Sequence, residues 1–313
     1  MGEKYLVTGG AGFIGSHLVE SLLRSGHSVR VLDDFSTGRR ENLAVVMDHP
    51  GFELIEGDIR DPQTVRHAME GVSGAFHLAA FVSAPDSVKQ PRISFEINAG
   101  GTFNVLEAAR LRGPKRIVLA STAAVYGNCA DLPCSESAML QPVSPYGLDK
   151  LYGEQVARLF HQEYGLEPLA LRLFNVYGPR QDSGSSYSGV ITKFIDCLRN
   201  DVQPIIFGDG HQTRDFVFVD DVVRACLAAM GGEYRGFRCY NVGTGENVSI
   251  NALFSTLRDL CGKKIAPRHT HPRAGDLLHT RADIRAIRSD LGYAPEVYLP
   301  GGLSRLLTKL ERD

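Results

Sequence analysis

Short apolar runs and longer amphipathic stretches alternate along the first half of this chain. The runs are bounded by turn residues, which predicts β-strands at Tyr5–Val7, Val29–Leu32, Glu53–Glu56, Gly74–Leu78, Arg116–Ala120 and Pro168–Leu173. Helical periodicity between them predicts helices at Phe13–Leu23, Pro62–Met69, Ile97–Leu111 and Pro145–Tyr164. Alternation of this kind is typical of βαβ units, so we predict an α/β fold with a doubly wound parallel sheet.

The pattern changes after Asn175. A polar loop rich in glycine and serine covers residues 178–190, and a helix at Ile191–Arg199 and a strand at Pro204–Phe207 no longer alternate strictly. We therefore expect two lobes, and ligands of doubly wound sheets bind at the carboxyl ends of the strands, where a second lobe can cover them. The expected division is a dinucleotide-binding domain of residues 1–174 and about 209–243, with a smaller, partly discontinuous α/β substrate-binding lobe of about 175–208 and 244–313.

A glycine-rich turn follows the first predicted strand. Gly9, Gly12 and Gly15 recur at spacings of three, directly before the first predicted helix. Strand, glycine turn and helix together place backbone amides and a helix N-terminus against a pyrophosphate. Asp33 ends the second strand, 21 residues after Gly12, where a Rossmann-like fold has the acid that binds the adenosine ribose. These features predict dinucleotide binding.

Asp33 also bears on which dinucleotide binds. A carboxylate accepts hydrogen bonds from the ribose 2′-hydroxyl and repels a 2′-phosphate, which favours NAD. Arg39 and Arg40 follow closely in the sequence and leave NADP as the alternative.

A tyrosine and a lysine four residues apart provide the candidate chemistry. In a helix, Tyr146 and Lys150 share one face. The ordinary pKa of tyrosine is ~10, and a neighbouring cation favours the phenolate, so the pair can supply a base. Thr122, 24 residues earlier, follows the strand at Arg116–Ala120 and can donate a hydrogen bond to a substrate oxygen in the ligand crevice.

The composition bears on the partners and location of the protein and does not change this interpretation. The chain has 313 residues, 43% of them hydrophobic, and a formal net charge of −2, which gives no reason to expect a nucleic-acid or anionic-membrane partner. Without an apolar run long enough to span a bilayer, we expect a cytoplasmic protein. The six scattered cysteines are expected to be reduced, although Cys129 and Cys134 bracket a loop and could bridge. We predict no metal site.

Together these motifs resemble a known family. The chain is similar to the extended short-chain dehydrogenase/reductases, and most closely to the UDP-glucose and UDP-N-acetylglucosamine 4-epimerases. The resemblance covers about residues 4–307. It rests on Gly9-x-x-Gly12-x-x-Gly15, Asp33, Gly57-Asp58, His77-Leu78-Ala79-Ala80, Asn98-x-x-Gly101-Thr102, Ser121-Thr122, Tyr146-x-x-x-Lys150 and Arg172-x-x-Asn175-x-x-Gly178-Pro179.

The resemblance implies an isomerase that uses tightly bound NAD. Tyr146 would remove the proton of the sugar 4-hydroxyl as NAD accepts the hydride, while Lys150 would bind the nicotinamide ribose and Thr122 would hold the 4-oxygen. The 4-keto sugar would then turn over and be reduced on its other face, which regenerates NAD.

The resemblance also implies the residues that bind each ligand. Cofactor contacts are expected from Gly9, Gly12, Phe13, Ile14, Gly15, Asp33, Asp58, Ile59, Ala79, Ala80, Asn98, Tyr146, Lys150 and Leu173. Substrate contacts are expected from Ser83, Thr122, Tyr146, Asn175, Val190, Phe207, Arg214, Arg273, Asp276 and Thr280. The two arginines would bind the diphosphate.

The resemblance leaves more than one possible reaction and more than one possible sugar substrate. Ala123 and Ala124 follow Thr122 where the family's dehydratases and decarboxylases have acidic residues, which favours epimerisation. Thr280 falls where glucose-restricted epimerases carry a tyrosine, so we predict tolerance of N-acetylated sugars.

A UDP-uronic acid remains an alternative through Arg180 or Arg92, as do a decarboxylase, a dehydratase, a reductase and a non-enzymatic dinucleotide sensor. Family likeness further implies a homodimer formed by helices at about Ala99–Leu111 and Tyr146–Tyr164.

Overall fold

The computed structural model describes residues 2–129, 131–182, 189–272 and 277–311. Its strands are β1 Lys4–Thr8, β2 Ser28–Asp33, β3 Phe52–Glu56, β4 Gly74–His77, β5 Arg116–Thr122, β6 Glu167–Leu173, β7 Asn175–Tyr177, β8 Ile205–Phe207, β9 Thr213–Arg214, β10 Phe216–Phe218, β11 Arg238–Val242, β12 Val248–Ser249 and β13 Arg268–Thr270. Its helices are α1 Phe13–Arg24, α2 Pro62–Met69, α3 Ala84–Lys89, α4 Pro91–Phe95, α5 Thr102–Arg112, α6 Pro145–Tyr164, α7 Val190–Arg199, α8 Val219–Gly231, α9 Ile250–Leu260, α10 Arg285–Leu291 and α11 Leu299–Leu310.

A parallel sheet organises the described chain. Seven strands lie in the order β11-β6-β5-β4-β1-β2-β3, and every neighbouring pair is parallel. Apolar clusters cover both faces, one around α1 and α8 and the other around α2, α5 and α6. The predicted α/β fold with a doubly wound parallel sheet is confirmed. The six predicted strands are all present, and the sequence interpretation missed β11, which pairs with β6 at the sheet edge.

A third apolar cluster forms away from the central sheet. It joins α7, α9 and α11 to the short strands β7, β8 and β10. The segments in this cluster come from both sides of α8, so the chain returns to the cluster after contributing that helix to the central sheet. The predicted division into two lobes stays a prediction.

The helix that carries Tyr146 and Lys150 has the boundaries that the sequence predicts, Pro145–Tyr164. The Ser144 hydroxyl accepts a hydrogen bond from the amide of Gly147, and Pro145 occupies the first helical position. Gly165 ends the helix in the left-handed region at φ 70°, where glycine is favoured. Local capping therefore sets where the helix begins and ends.

The predicted Ile97–Leu111 helix is irregular at its start. Residues Glu96–Gly101 form a π-helical turn, and α5 continues from Thr102. A π-helical turn inserts an extra residue and reorients nearby side chains, often at functional sites. Here the turn contains Asn98.

The prediction of six reduced cysteines is wrong for two of them. Cys129 and Cys134 are joined by a disulfide with their Cα atoms 6.2 Å apart. The Cys134 amide donates to Arg281 O and its carbonyl accepts from the amide of Asp283, which holds the far end of the loop within reach of Cys129. The cysteines Cys197, Cys226, Cys239 and Cys261 are free.

No helix in the described ranges is long and apolar enough to cross a membrane.

Candidate active site

The glycine turn leaves no room for side chains. Gly9 has φ +71°, and a Cβ there would lie 2.6 Å from the amide nitrogen of Ala79. A Cβ on Gly15 would collide with the Gly9 carbonyl. The amide of Gly12 donates to that same carbonyl at 3.1 Å, and α1 begins at the next residue, Phe13.

This geometry fits a dinucleotide pyrophosphate. No described side chain caps the N-terminus of α1, so the first-turn amides, including those of Phe13 and Ile14, face the turn without a side-chain acceptor. Such amides, together with the helix dipole, form an anion site that a phosphate can approach closely where only glycines stand.

The carboxylate of Asp33, the last residue of β2, is fixed by hydrogen bonds. This residue is buried, and its two carboxylate oxygens accept hydrogen bonds from the amides of Ala11 at 2.8 Å and Phe35 at 2.9 Å. Burial raises the pKa of this carboxyl, and the two amides oppose that rise. The carboxylate is therefore oriented beside the glycine turn.

Arg39 and Arg40, which kept NADP open, have other partners. Arg39 forms an ion pair with Asp182 at 2.7 Å. Arg40 pairs with Glu56, and its guanidinium lies 4.3 Å from the centroid of the Phe35 ring. Both side chains are more than half exposed and form ion pairs at the surface. Neither pair adds support for NADP.

Thr122, Tyr146 and Lys150 come from two adjacent elements. Thr122 ends β5, and its hydroxyl accepts from the amide of Ala124 at 3.2 Å. Tyr146 and Lys150 lie one turn apart on the same face of α6. The Lys150 Nζ donates to the carbonyl of Ala120, two residues before Thr122, at 3.0 Å. The structure therefore brings the three predicted catalytic residues to one end of the sheet.

Lys150 is a buried cation. It is 6% exposed, and desolvation lowers its pKa to about 8, with the Asp149 carboxylate opposing the shift. Burial, with Lys150 nearby, lowers the pKa of His77 to about 3, so that ring is neutral at physiological pH. The His77 ring nitrogens are hydrogen-bonded to the hydroxyls of Thr8 and Thr102.

The segment after β4 lies against the glycine turn. The Ala79 amide donates to Thr8 Oγ1 at 3.3 Å. Beyond Ala80, the carboxamide of Asn98 accepts from the amide of Phe81 at 2.9 Å and donates to its carbonyl at 3.0 Å. The Asn98 side chain thus holds this segment, and its predicted direct contact with the cofactor stays a prediction.

Three more predicted cofactor residues lie at or shortly after strand ends. Asp58 follows β3, and its carboxylate binds the guanidinium of Arg60. Ile59 is buried and packs against Gly101. Leu173 ends β6 directly beside Thr122 in the sheet register.

On the substrate side, the structure groups Asn175, Arg214 and Thr280. Asn175 Nδ2 donates to the carbonyl of Asp215 at 3.2 Å, next to Arg214 in the chain. The Thr280 amide donates to the carbonyl of Thr213 at 3.1 Å. Within the described part of the chain, the buried Thr280 hydroxyl has no hydrogen-bond partner.

The remaining predicted substrate residues are more dispersed. Ser83 caps α3, and its hydroxyl is engaged with the amide and carboxylate of Asp86. Val190 begins α7, and Phe207 ends β8. Arg273 and Asp276 lie outside the described residues.

Asp215 is an organising residue that the sequence interpretation missed. It is fully buried and accepts hydrogen bonds from Thr244, Gly245 and Ala282. An acidic residue directly before the apolar run Phe216–Phe218 is the signal that could have revealed it, because a buried carboxylate requires partners.

A doubly wound parallel sheet, a glycine turn before α1, and Tyr146 with Lys150 beside the end of β5 define the short-chain dehydrogenase/reductase class. Within that class the chain belongs to the NAD dependent epimerase/dehydratase family, whose sequence signature matches residues 5–243. The predicted family, its NAD cofactor and the isomerase class are confirmed.

Similar proteins differ in the sugar that their names specify. The chain is 40% identical over 304 residues to a UDP-glucose 4-epimerase of Mycolicibacterium smegmatis, covering 96% of both chains. It is 33% identical to a UDP-glucuronate 4-epimerase of Thermodesulfobacterium geofontis, covering 96% of this chain and 94% of the relative. A solved UDP-N-acetylglucosamine 4-epimerase of Methanobrevibacter ruminantium, in complex with UDP-N-acetylmuramic acid, superposes with a TM-score of 0.95 at 34% identity over 99% of both chains.

Proposed function

We propose that this protein epimerises carbon 4 of UDP-hexoses with bound NAD. Its substrates would be UDP-glucose and UDP-galactose, together with UDP-N-acetylglucosamine and UDP-N-acetylgalactosamine. The main support for this proposal is that Thr122 at the end of β5 lies close to the part of α6 that carries Tyr146 and Lys150. The 3.0 Å hydrogen bond from Lys150 to the Ala120 carbonyl joins the two elements there.

The residues of this chain would take one proton from the sugar 4-hydroxyl and later return it. When bound, NAD supplies a reversible acceptor for the hydrogen on carbon 4. The Lys150 ammonium favours the Tyr146 phenolate, which takes the proton of the 4-hydroxyl. The Thr122 hydroxyl accepts from a backbone amide and keeps its own proton to donate to the 4-oxygen. Tyr146 returns its proton once the sugar presents its other face, so no net proton is consumed.

The residues after Thr122 support simple epimerisation. Ala123 and Ala124 begin the 3-10 turn that follows β5, and their methyl side chains cannot transfer protons. Elimination of water from carbons 5 and 6 requires an acid and a base near those carbons. Turnover should therefore eliminate no water from the sugar. It should also release no carbon dioxide from a uronic acid and accumulate no NADH, and any of these products would favour a different reaction of the family.

Tolerance of N-acetylated sugars is supported by Thr280. This small residue lies beside Thr213 and Arg214, and its buried hydroxyl forms no hydrogen bond to any described residue. Thr280→Tyr would place a much larger side chain at this position. We expect it to lower kcat/KM for UDP-N-acetylglucosamine by at least ~10-fold while changing that for UDP-glucose less than ~3-fold. Equal losses for both sugars would contradict this assignment.

The uronic-acid alternative depends on a cation for the substrate carboxylate. Arg180 is paired with Glu20, which leaves its charge compensated within the protein. Arg92, on α4, would then have to supply the contact. UDP-glucuronate is therefore our second candidate substrate, and it belongs in the same assay.

The function is tested by offering UDP-glucose, UDP-N-acetylglucosamine and UDP-glucuronate to the purified protein and separating the products by anion exchange. Tyr146→Phe should retain NAD and lose at least ~100-fold in kcat, since general base catalysis contributes about that much. Full activity of Tyr146→Phe would overturn the assignment of the base.

We further propose a homodimer built on α5 and α6. Phe103, Leu148, Tyr152 and Leu159 are large apolar side chains that these helices expose. Leu159→Glu should produce monomers in light scattering, whereas Val45→Glu, on an exposed residue elsewhere, should not. The two-lobe division and the cytoplasmic location also remain part of the proposal.

A further inference from the structure

A buried ion pair lies directly behind the candidate catalytic residues. Arg172 on β6 and Glu154 on α6 have side chains only 4% and 3% exposed. The guanidinium binds both carboxylate oxygens, Nε to Oε1 at 3.0 Å and Nη2 to Oε2 at 2.7 Å. This is the two-pronged geometry that arginine forms with carboxylates.

The Glu154 side of the pair touches both catalytic elements. Glu154 stands one turn after Lys150 on α6. Its carboxylate accepts a hydrogen bond from the hydroxyl of Ser121, the residue before Thr122. With the Lys150 bond to Ala120, two side-chain hydrogen bonds thus fasten the end of β5 to α6.

The Arg172 side holds the chain just beyond Thr122. Arg172 Nη1 donates to the Tyr126 hydroxyl at 2.9 Å and to the carbonyl of Glu136 at 3.1 Å, and the guanidinium lies 4.9 Å from the centroid of the Tyr126 ring. Ser121 and Tyr126 bracket Thr122 and its 3-10 turn. One ion pair is therefore hydrogen-bonded to both ends of the segment that carries the Thr122 hydroxyl.

The network continues toward the substrate side. The Tyr126 hydroxyl donates to Asn241 Oδ1 at 2.6 Å. Asn241 Nδ2 donates to the carbonyls of Cys134 at 2.9 Å and Asp283 at 3.2 Å. Asp283 lies three residues after Thr280, so the buried chain links α6 to the segment that carries a predicted sugar contact.

Stability alone does not account for such a pair. Desolvation of two charges offsets much of their attraction, and apolar replacements of similar volume are often neutral or stabilising. What apolar packing lacks is the set of directional bonds that places three elements at fixed separations.

We propose that the Arg172–Glu154 pair is a positioning device that sets the Thr122 hydroxyl relative to Tyr146 and Lys150. This inference rests on the proposed function. Neither residue touches the reacting atoms, so both act through Ser121 and Tyr126.

The test is the double variant Arg172→Met/Glu154→Met in the NAD-bound protein. We expect kcat to fall roughly 10- to 100-fold, since a displacement of about 1 Å in a reacting geometry has effects of that size, while KM and NAD affinity change less than ~3-fold.

The control is Arg116→Met/Glu167→Met, which removes the 3.3 Å pair between the first residues of β5 and β6, at the end of these strands away from Thr122. Its kcat should stay within ~2-fold of wild type.

A double-mutant cycle separates positioning from general loosening. Thr122→Ala should lower kcat strongly in the wild-type background and less than ~3-fold in the Arg172→Met/Glu154→Met background, because Thr122 is already misplaced there. Additive losses, or an unchanged kcat in the double variant, would overturn the inference.

The experiments distinguish a failure of the proposed function from a failure of the positioning role. A wild-type protein that epimerises none of the three UDP-sugars refutes that function before any variant is compared. Hydrogen–deuterium exchange of residues 120–127 requires no turnover. It should be at least ~10-fold faster in Arg172→Met/Glu154→Met and unchanged in the control, and equal exchange in both would refute the positioning role.

Discussion

Replacing Lys150 with methionine is expected to stabilise the NAD-free protein while abolishing its activity. The wild-type side chain is 6% exposed, and burial lowers its pKa from 10.5 to about 8. Each pKa unit corresponds to about 1.4 kcal/mol, so the buried ammonium costs on the order of 3 kcal/mol of folding free energy near pH 7. Methionine has a similar length and carries no charge.

Removing the buried ammonium recovers this folding free energy, and the loss of a hydrogen bond offsets part of it. The variant loses the hydrogen bond from Lys150 to the Ala120 carbonyl, which costs roughly 1 kcal/mol. A net stabilisation of about 2 kcal/mol remains. Activity should nevertheless vanish, because no cation is left to favour the Tyr146 phenolate, and stabilised variants commonly lose function at strained or charged sites.

The destabilisation caused by the buried lysine should depend on pH. Below pH 8 the lysine is protonated in both the folded and the unfolded protein, and the full cost is present. Between pH 8 and 10.5 the unfolded chain binds the proton more tightly, so the free energy of unfolding of the wild type rises through this window. The advantage of Lys150→Met should therefore shrink as the pH rises.

Urea unfolding of NAD-free wild type and variant at pH 7 and pH 10 measures this difference. Lys263→Met serves as the control, because Lys263 forms an ion pair with the mostly exposed Asp201 carboxylate and should contribute less than ~1 kcal/mol. A Lys150→Met protein that is less stable than wild type at pH 7, or whose advantage does not change with pH, would refute the reasoning.

Three further predictions concern the cofactor site and the cysteines. Gly15→Ala should abolish NAD binding because its Cβ collides with the turn, whereas Gly100→Ala, whose nearest neighbour is 3.9 Å away, should bind NAD normally; calorimetric titration compares them. Asp33→Asn keeps an oxygen acceptor but loses the charge that repels a 2′-phosphate, so the ratio of NADP to NAD dissociation constants should fall at least ~10-fold, and an unchanged ratio would contradict the role of Asp33. Thiol titration of the denatured, unreduced protein should find four free thiols, and six would refute the Cys129–Cys134 bond.

Elements with strong local signals were predictable from the sequence. Helix α6 begins and ends where its own caps lie, at Ser144 and Gly165, so short-range interactions were sufficient. The glycine turn and Asp33 likewise follow from neighbouring residues and one fixed interval, because the βαβ unit places strand, turn and helix in a constant geometry.

Elements whose partners are distant in the chain were not predictable in the same way. Strand β11 is a mixed polar run, Arg238–Val242, and becomes a strand because β6 offers it a parallel partner. The disulfide joins cysteines five residues apart, and the backbone of Cys134 is also hydrogen-bonded to the segment from Arg281 to Asp283, about 150 residues later in the chain. Neither leaves a periodic pattern.

The candidate site divides in the same manner. The amino-acid sequence by itself determined the chemical groups, namely the Tyr146 phenol, the Lys150 ammonium and the Thr122 hydroxyl, since their spacing and strand-end positions are local properties. Only the tertiary structure decided that Arg172 and Glu154 join the elements carrying those groups and that Lys150 is buried enough for its pKa to fall. Burial and directional hydrogen bonds depend on which surfaces meet, and that arrangement arises only when the whole sheet assembles.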